Sequence, residues 1–320
     1  MKFLMFSDLH YSPGTLPGAS RDTLRTFQKR AEEENCDFII HAGDFCHNAN
    51  KISDFLEEYN NFHIPSYHCL GNHDCDETSY EESLKAFRMS NGYYYFDCKG
   101  YRIIVLDTNY FVDNGKYVHY AMRNQKNFPA SRDNMPPEEI EWLKKTISES
   151  PNPCLIISHA SFEREHIPPA TPELAAQLAT EANASPHADE MRALFRRINE
   201  KDPHKVLMVM NGHHHHDTLR IIDNILYWDV NATAYEWIGA PGHNYFPEEI
   251  QQQHSLAKYT IFYNEPLYAI VTVEGTTITI EGTETTPFMG ITREMVGSYI
   301  LDRSGRPTRP KIQSAKLTLL

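Results

Sequence analysis

An α/β fold with mixed β-sheets is what this sequence predicts, and three observations carry the prediction. Short apolar runs alternate with amphipathic helical stretches through the first half of the chain. Several of those runs end directly in Asp, Asn, His or Gly, as strands do at the ligand-binding edge of an α/β sheet. The length, 320 residues with 41% hydrophobic and 23% charged side chains, is ample for a large buried core.

The elements follow in order. Phe3–Phe6 reads as the first strand. Ser20–Asn35 reads as a helix, because Leu24, Phe27 and Ala31 recur at helical spacings. Phe38–His41 is the second strand, Ser53–Tyr59 a helix and Ser66–Leu70 a third strand. Tyr93–Cys98 and Tyr101–Asp107 flank Lys99-Gly100, a hairpin signal. Pro136–Ser148 reads as a helix with Pro near its start and acidic residues in its first turn, both favourable there. Leu155–Ser158 is a buried strand, Ala188–Glu200 a helix and Val206–Met210 a strand. Thr218–Ile222 and Ile225–Val230 flank a two-residue turn, Asp223-Asn224. Tyr259–Tyr263, Leu267–Val273 and Thr276–Glu281 complete the strands. The second half is thus expected to be antiparallel. Asn109–Met135, Ala160–Pro186 and Ala234–Ser255 show little regular pattern and read as functional loops or disorder. Residues 1–285 are expected to form one domain. Residues 286–320, rich in Pro, Lys and Arg, would be an extension: a tail, an edge strand or an oligomer contact.

Composition excludes several classes. A net charge of −13 counts against nucleic-acid binding, which rewards clustered Lys and Arg. No apolar run is long enough to span a membrane. The first residues lack a secretory apolar region, so a cytoplasmic protein with six reduced thiols is expected. No C-x-x-C pair suggests a zinc ribbon, and no P-loop suggests ATP as a cofactor. The acceptor patterns at Asn183 and Asn231 are expected to be chance matches.

The chemistry lies where strands end. The first strand runs into Asp8-x-His10, the second into Gly43-Asp44, the third into Gly71-Asn72-His73-Asp74. Later strands run into His159 and into Gly212-His213-His214-His215. Residues i and i+2 on an extended backbone point the same way, so each Asp-x-His or His-x-His pair can serve one cluster. Oxygen and imidazole donors without thiolates suit two divalent cations, among Mn, Fe, Zn, Ni or Co. A carboxylate can bridge such a pair, which activates water and neutralises phosphoryl charge.

In this order the motifs resemble those of the calcineurin-like metallophosphoesterases. The resemblance spans residues 8 to 215 and implies a four-layer αββα sandwich. It implies that Asp8, His10 and His215 hold one metal, that Asn72, His159 and His213 hold a second, and that Asp44 bridges them. It implies that His73 acts catalytically on the leaving group. The expected function is hydrolysis of a small phosphodiester or phosphomonoester by a metal-bridging hydroxide. A nuclease of the same family and a non-catalytic metal-binding scaffold are the alternatives. A protein serine/threonine phosphatase ranks lower, because its branch carries other residues at positions 47 and 74. The partner is a small phosphorylated substrate, and the oligomeric state is open.

One departure stands out. Many members carry an Asp three residues after the bridging Asp, paired with the histidine of the Gly-Asn-His motif; this chain has His47. Either His73 is less strongly held as an imidazolium, or Asp74 or another carboxylate is expected to support it, and His47 as an added metal ligand is a variant reading. His214 and His216 should point away from the ligand pair, and His41 should be structural. The aromatic residues at 110–111, 117–120 and 235–237, with Arg123 and His243-Asn244-Tyr245, are candidates for a pocket wall.

Overall fold

The computed structural model describes residues 1–12, 17–128, 131–163, 185–238, 245–254, 257–298, 301 and 306–320. In chain order the first part comprises β1 (Lys2–Phe6), α1 (Arg21–Glu33), β2 (Phe38–His41), α2 (Ser53–Asn60), β3 (Ser66–Tyr67) and α3 (Tyr80–Ala86). Next come β4 (Tyr94–Cys98), β5 (Tyr101–Val105), β6 (Tyr110–Asp113), β7 (Lys116–His119), α4 (Pro137–Ser148) and β8 (Cys154–Ile157). The helix α5 (Ala188–Lys201) precedes β9 (Val206–Asn211), β10 (Thr218–Ile222), β11 (Ile225–Asp229) and β12 (Tyr235–Trp237). The chain continues through α6 (Glu248–Gln253), β13 (Thr260–Phe262), β14 (Ala269–Glu274), β15 (Thr277–Gly282), α7 (Arg293–Val296) and β16 (Ala315–Thr318).

Two six-stranded sheets result, ordered β16-β15-β14-β1-β2-β3 and β10-β11-β9-β8-β5-β4. Strand alternation assigns each face its layer. Phe3 and Met5 of β1 meet Ile103, Val105, Leu155, Ile157 and Met210 of the other sheet in the central core. Leu4 and Phe6 point the opposite way, onto Leu24 and Phe27 of α1 and Phe55 and Tyr59 of α2. Ile104 and Ile156 turn outward onto Ile140 and Leu143 of α4 and Met191 and Phe195 of α5. Three apolar layers between four layers of elements make the αββα sandwich. Because both faces of the central strands are covered, those strands are apolar throughout rather than alternating.

Local chemistry explains the helices. The Ser20 N–H donates to Thr23 Oγ1 at the start of α1, and Asp22 lies in the first turn. Asp189 and Glu190 occupy the first turn of α5, with Met191, Leu194 and Phe195 on its buried face. No helix among the described residues is long and apolar enough to cross a membrane.

Two expectations are corrected, and others take their place in the sheets. The second half is not simply antiparallel: β9 pairs in parallel with both β8 and β11. The β8-to-β9 connection includes α5, and parallel strands require such a crossover. The two-residue turn is present, with Asp223 and Asn224 both at positive φ, and it folds β10 back to the sheet edge. The late strands β14 and β15 belong to the first sheet, where β14 runs antiparallel to β1. The stretch from Asn109 is not patternless, since β6 and β7 form a hairpin around Asn114-Gly115, both at positive φ. In the last segment β16 is an edge strand on β15, and Ile312 and Leu319 enter the central core.

Candidate metal centre

The parallel strands deliver the motif residues to one edge. Asp8 and His10 follow β1, Asp44 follows β2, Asn72 and His73 follow β3, His159 follows β8, and His213 and His215 follow β9. The chain bends sharply at these ends: Asp8, His10, Asp44, His213 and His215 all have positive φ. Such φ values are uncommon outside Gly and mark backbone held by its surroundings for a purpose. Two glycines are required by close approach. A Cβ on Gly71 would lie 2.2 Å from the Asp44 backbone nitrogen, and one on Gly212 would lie 2.0 Å from Ser7 Oγ.

The residues converge as two groups around Asp44. Asp8, His10 and His215 bring their ligand atoms within 4.8 Å of one another, as do Asp44, His159 and His213. His10 Nε2 is 3.2 Å from His215 Nε2, and His215 Nε2 is 3.2 Å from Asp8 Oδ1. On the other side Asn72 Oδ1 is 3.0 Å from His159 Nε2 and 2.9 Å from His213 Nδ1. Asp44 Oδ2 stands between the groups, 3.2 Å from His159 Nε2 and 3.6 Å from His10 Nε2. The His73 backbone N–H donates to Asp44 Oδ1 at 2.7 Å and orients this carboxylate.

Tautomers decide which ring atoms face the cluster. The His159 Nδ1–H donates to the Ala42 carbonyl and the His215 Nδ1–H to the Tyr235 carbonyl, since a carbonyl only accepts. Each ring then turns Nε2 to the cluster, where it can hold either a cation or a proton. His159 Nε2 faces two oxygens, and His215 Nε2 faces another imidazole nitrogen and a carboxylate. Acceptor atoms gathered this closely in a buried site require a positive charge among them, a metal ion or, without one, a proton. The donor set therefore fits divalent metal ions of the nitrogen- and oxygen-preferring kind.

The electrostatics agree. Burial alone would raise Asp8, but His215 and His10 outweigh it and hold the carboxyl well below its ordinary value. Asp44 behaves likewise: burial raises it, while His159 and His73 pull it far down. Burial lowers His10 to about 3 and, with His159, lowers His213 to about 4, so both rings are neutral donors of lone pairs. Burial also opposes charge on His159, but Asp44 raises it to about 10. In the absence of metal, His159 is where the site places a proton to offset its carboxylates.

All eight residues singled out from the sequence are thus at one edge of the fold: Asp8, His10, Asp44, Asn72, His73, His159, His213 and His215. The support for His73 comes from a carboxylate that sequence reasoning passed over. Its Nδ1 is 2.7 Å from Asp76 Oδ2, which also takes His47 Nδ1 at 3.0 Å and Arg123 Nη2 at 3.3 Å. The signal that could have found it is the three-residue spacing His73-x-x-Asp76. Asp74 does something else: its oxygens accept the N–H groups of Cys46 and Gly71 and pin the two ligand loops together. Burial and Asp44 raise it to about 7. His47, His73 and Asp76 form a third close cluster of ligand-type atoms.

The remaining candidates divide. Tyr235 is buried with its ring against His10 and His215, while Phe111 and Tyr120 pack with Cys75 in a small apolar cluster. Trp237 is partly exposed and stacks on Tyr259. His41 is buried and bonded to His68, as a structural residue. His216 is buried 3.6 Å from Asp229, away from the clusters. The Asn231 side chain is buried and donates to the Arg309 and Lys311 carbonyls, so it is no acceptor for sugar. His243, Asn244 and Asn183 lie outside the described residues.

The chain belongs to the calcineurin-like phosphoesterase family, whose model matches residues 1–217. No curated protein matches it. Among solved structures it is similar to a dimetal phosphatase from Danio rerio, with a TM-score of 0.57 and 15% identity, covering 89% of this chain and 98% of that one. It is also similar to GAP50, the anchor in the inner membrane complex of Plasmodium, with a TM-score of 0.51 and 11% identity, covering 100% of this chain and 89% of that one. At these identities the likeness is one of fold.

Proposed function

We propose that this chain is a dimetal-dependent phosphoesterase acting on a small phosphodiester or phosphomonoester. The observation that carries the reading is the pair of lone-pair clusters on either side of the single carboxylate of Asp44. Asp8, His10 and His215 would hold one ion, Asn72, His159 and His213 the other, and Asp44 both. Two divalent ions there supply Lewis acidity to the phosphoryl oxygens and lower the pKa of water.

The chain's own residues do the rest. Asp8, Asp44 and the imidazoles already gather at one edge, which is the preorganisation catalysis needs. His73 holds its Nδ1–H on Asp76, so Nε2 is the ring atom left to meet a substrate. Burial disfavours its charge, but Asp44 and Asp76 raise it above its ordinary value, so it can hold a proton at Nε2 for a departing oxygen. The chain carries a net charge of −13, which suits a small phosphate ester more than a polyanionic strand. The similarity in fold to an anchor protein keeps a non-catalytic scaffold as the rival reading. Retention of the full donor set favours the enzyme.

The test couples metal content to turnover. The protein is stripped with chelator, given Mn, Zn, Fe(II), Ni, Co or Mg singly, and assayed on p-nitrophenyl phosphate and bis-p-nitrophenyl phosphate, with Asp44→Asn as control. About two ions per chain, with activity that the variant loses, is the expected result; the substrate ratio then separates monoesterase from diesterase. A protein that takes up no metal and cleaves neither ester is the scaffold.

A further inference from the structure

We propose that His47 and Asp76 are positioning residues: one buried carboxylate, acting through His47, sets the metal-binding tautomer of His10 and at the same time orients His73. The inference rests on the dimetal reading and adds to it a role for residues outside the donor set.

The argument is one of donors and acceptors. Asp76 is buried, its side chain only 1% exposed, and its Oδ2 receives His47 Nδ1, His73 Nδ1 and Arg123 Nη2. A carboxylate only accepts, so both imidazoles present Nδ1–H to it. His47, held in that tautomer, has an accepting lone pair at Nε2. That atom lies 3.3 Å from His10 Nδ1. His10 must therefore carry its hydrogen on Nδ1, which leaves Nε2 as the lone pair facing His215 and Asp8. His159 and His215 obtain the same result from backbone carbonyls. Among the described residues no carbonyl is bonded to His10 Nδ1; His47 takes its place. Metal-bound histidines are generally fixed through their second nitrogen, and losing that partner weakens metal binding about 10–100-fold.

The arrangement also accounts for the residue at 47. A short carboxylate in that position could accept from His10 or support His73. An imidazole relays instead, and the carboxylate moves to position 76. Arg123 completes the set by neutralising Asp76 from the solvent side, its own side chain being 44% exposed.

Three measurements test the proposal on the full chain. In metal-free protein, long-range proton–nitrogen NMR of the imidazoles should show His10 as the Nδ1–H tautomer, and His47→Ala should convert it to a mixture. In calorimetric titrations with Mn or Zn, His47→Ala should weaken one of two binding steps by about 10–100-fold and leave the other unchanged. His47→Gln, whose amide can both donate to Asp76 and accept from His10, should recover most of that loss. Asp76→Asn should weaken the same step and should slow alkyl esters more than p-nitrophenyl esters, a split that a loosened fold would not produce. Unaltered His10 tautomer and unaltered metal steps in His47→Ala overturn the proposal. So does a third ion per chain that His47→Ala removes, since His47 would then be a ligand. If the wild-type protein binds no metal, the dimetal reading fails on its own, and the NMR result still decides the relay.

Discussion

His10 and His215 turn their Nε2 atoms toward each other at 3.2 Å, with Asp8 Oδ1 beside both. Two ring nitrogens gain nothing from facing each other unless a proton or a cation lies between them. A cation between them removes the repulsion, so binding should register as stability. At a free ion concentration of a hundred times Kd the gain is about 2.7 kcal/mol. The expected outcome is a melting temperature that falls on chelation and recovers with Mn or Zn. A Tm indifferent to every ion tried would remove this argument.

His73→Ala should lower kcat by about 10²–10⁴-fold on esters with alkoxide leaving groups. The loss on p-nitrophenyl esters should be much smaller, because that leaving group departs without a proton. Steady-state kinetics on both ester types measures the difference. Equal losses on the two would assign His73 to binding instead of proton transfer.

Gly71→Ala tests the close approach of two ligand loops. The added carbon would sit 2.2 Å from both the backbone nitrogen and Oδ1 of Asp44. Overpacking of this kind costs about 1–3 kcal/mol, and here the displaced atoms belong to Asp44. The variant should lose metal in calorimetry even where circular dichroism reports a folded chain. Full metal binding by Gly71→Ala would show that the loops can separate without consequence.

A buried ion pair away from the donor set governs alkaline stability. His119 Nε2 lies 3.0 Å from Asp107 Oδ2. Burial disfavours the imidazolium, but Asp107 raises it from the ordinary 6.5 to about 10. Burial would likewise raise Asp107, but His119 outweighs it and holds it below its ordinary 3.8. Glu139 beside them is pushed well up by burial and by Asp107. The histidine's contribution is full below 6.5 and is lost as pH rises through about 10. The aspartate's is present above 3.8 and lost as pH falls through its depressed value. His119→Gln should therefore destabilise by about 3–5 kcal/mol near neutrality, and the gap to wild type should close as pH passes 10. Urea midpoints across that range measure it; a constant gap contradicts the pairing.

Truncation before Ile312 should destabilise the whole fold. It removes Ile312 and Leu319 from between the sheets, each worth about 1.5–3 kcal/mol when fully buried. It also strips β16 from β15, leaving an open edge prone to association. A lowered Tm with increased light scattering is expected. A truncated chain as stable as the full one would mean the last segment only decorates the sheet.

Much of the site was legible before any coordinates. The order Asp8-x-His10, Gly43-Asp44, Gly71-Asn72-His73, His159 and Gly212-His213-x-His215 could be read because each motif closes a short apolar run, and parallel strands end at one edge. Helix α1 was legible from Leu24, Phe27 and Ala31 for the same reason of period. The hairpin at Asn114-Gly115 was overlooked although its turn signal was present, because the aromatic residues around it did not alternate cleanly.

The sequence by itself determined the α/β class, the strand ends that bring Asp, Asn and His together and the chemical type of those side chains, because these depend on local period and residue chemistry. Only the tertiary structure decided that Asp76 rather than Asp74 serves His73, that His47 faces His10, and that β14 completes the first sheet. Such choices turn on which of several equally suitable atoms lies within about 3 Å of a partner. Asp74 and Asp76 are alike as residues and neighbours in the chain. Backbone N–H groups claim the one and imidazoles the other, and that allocation exists only once the loops have folded together.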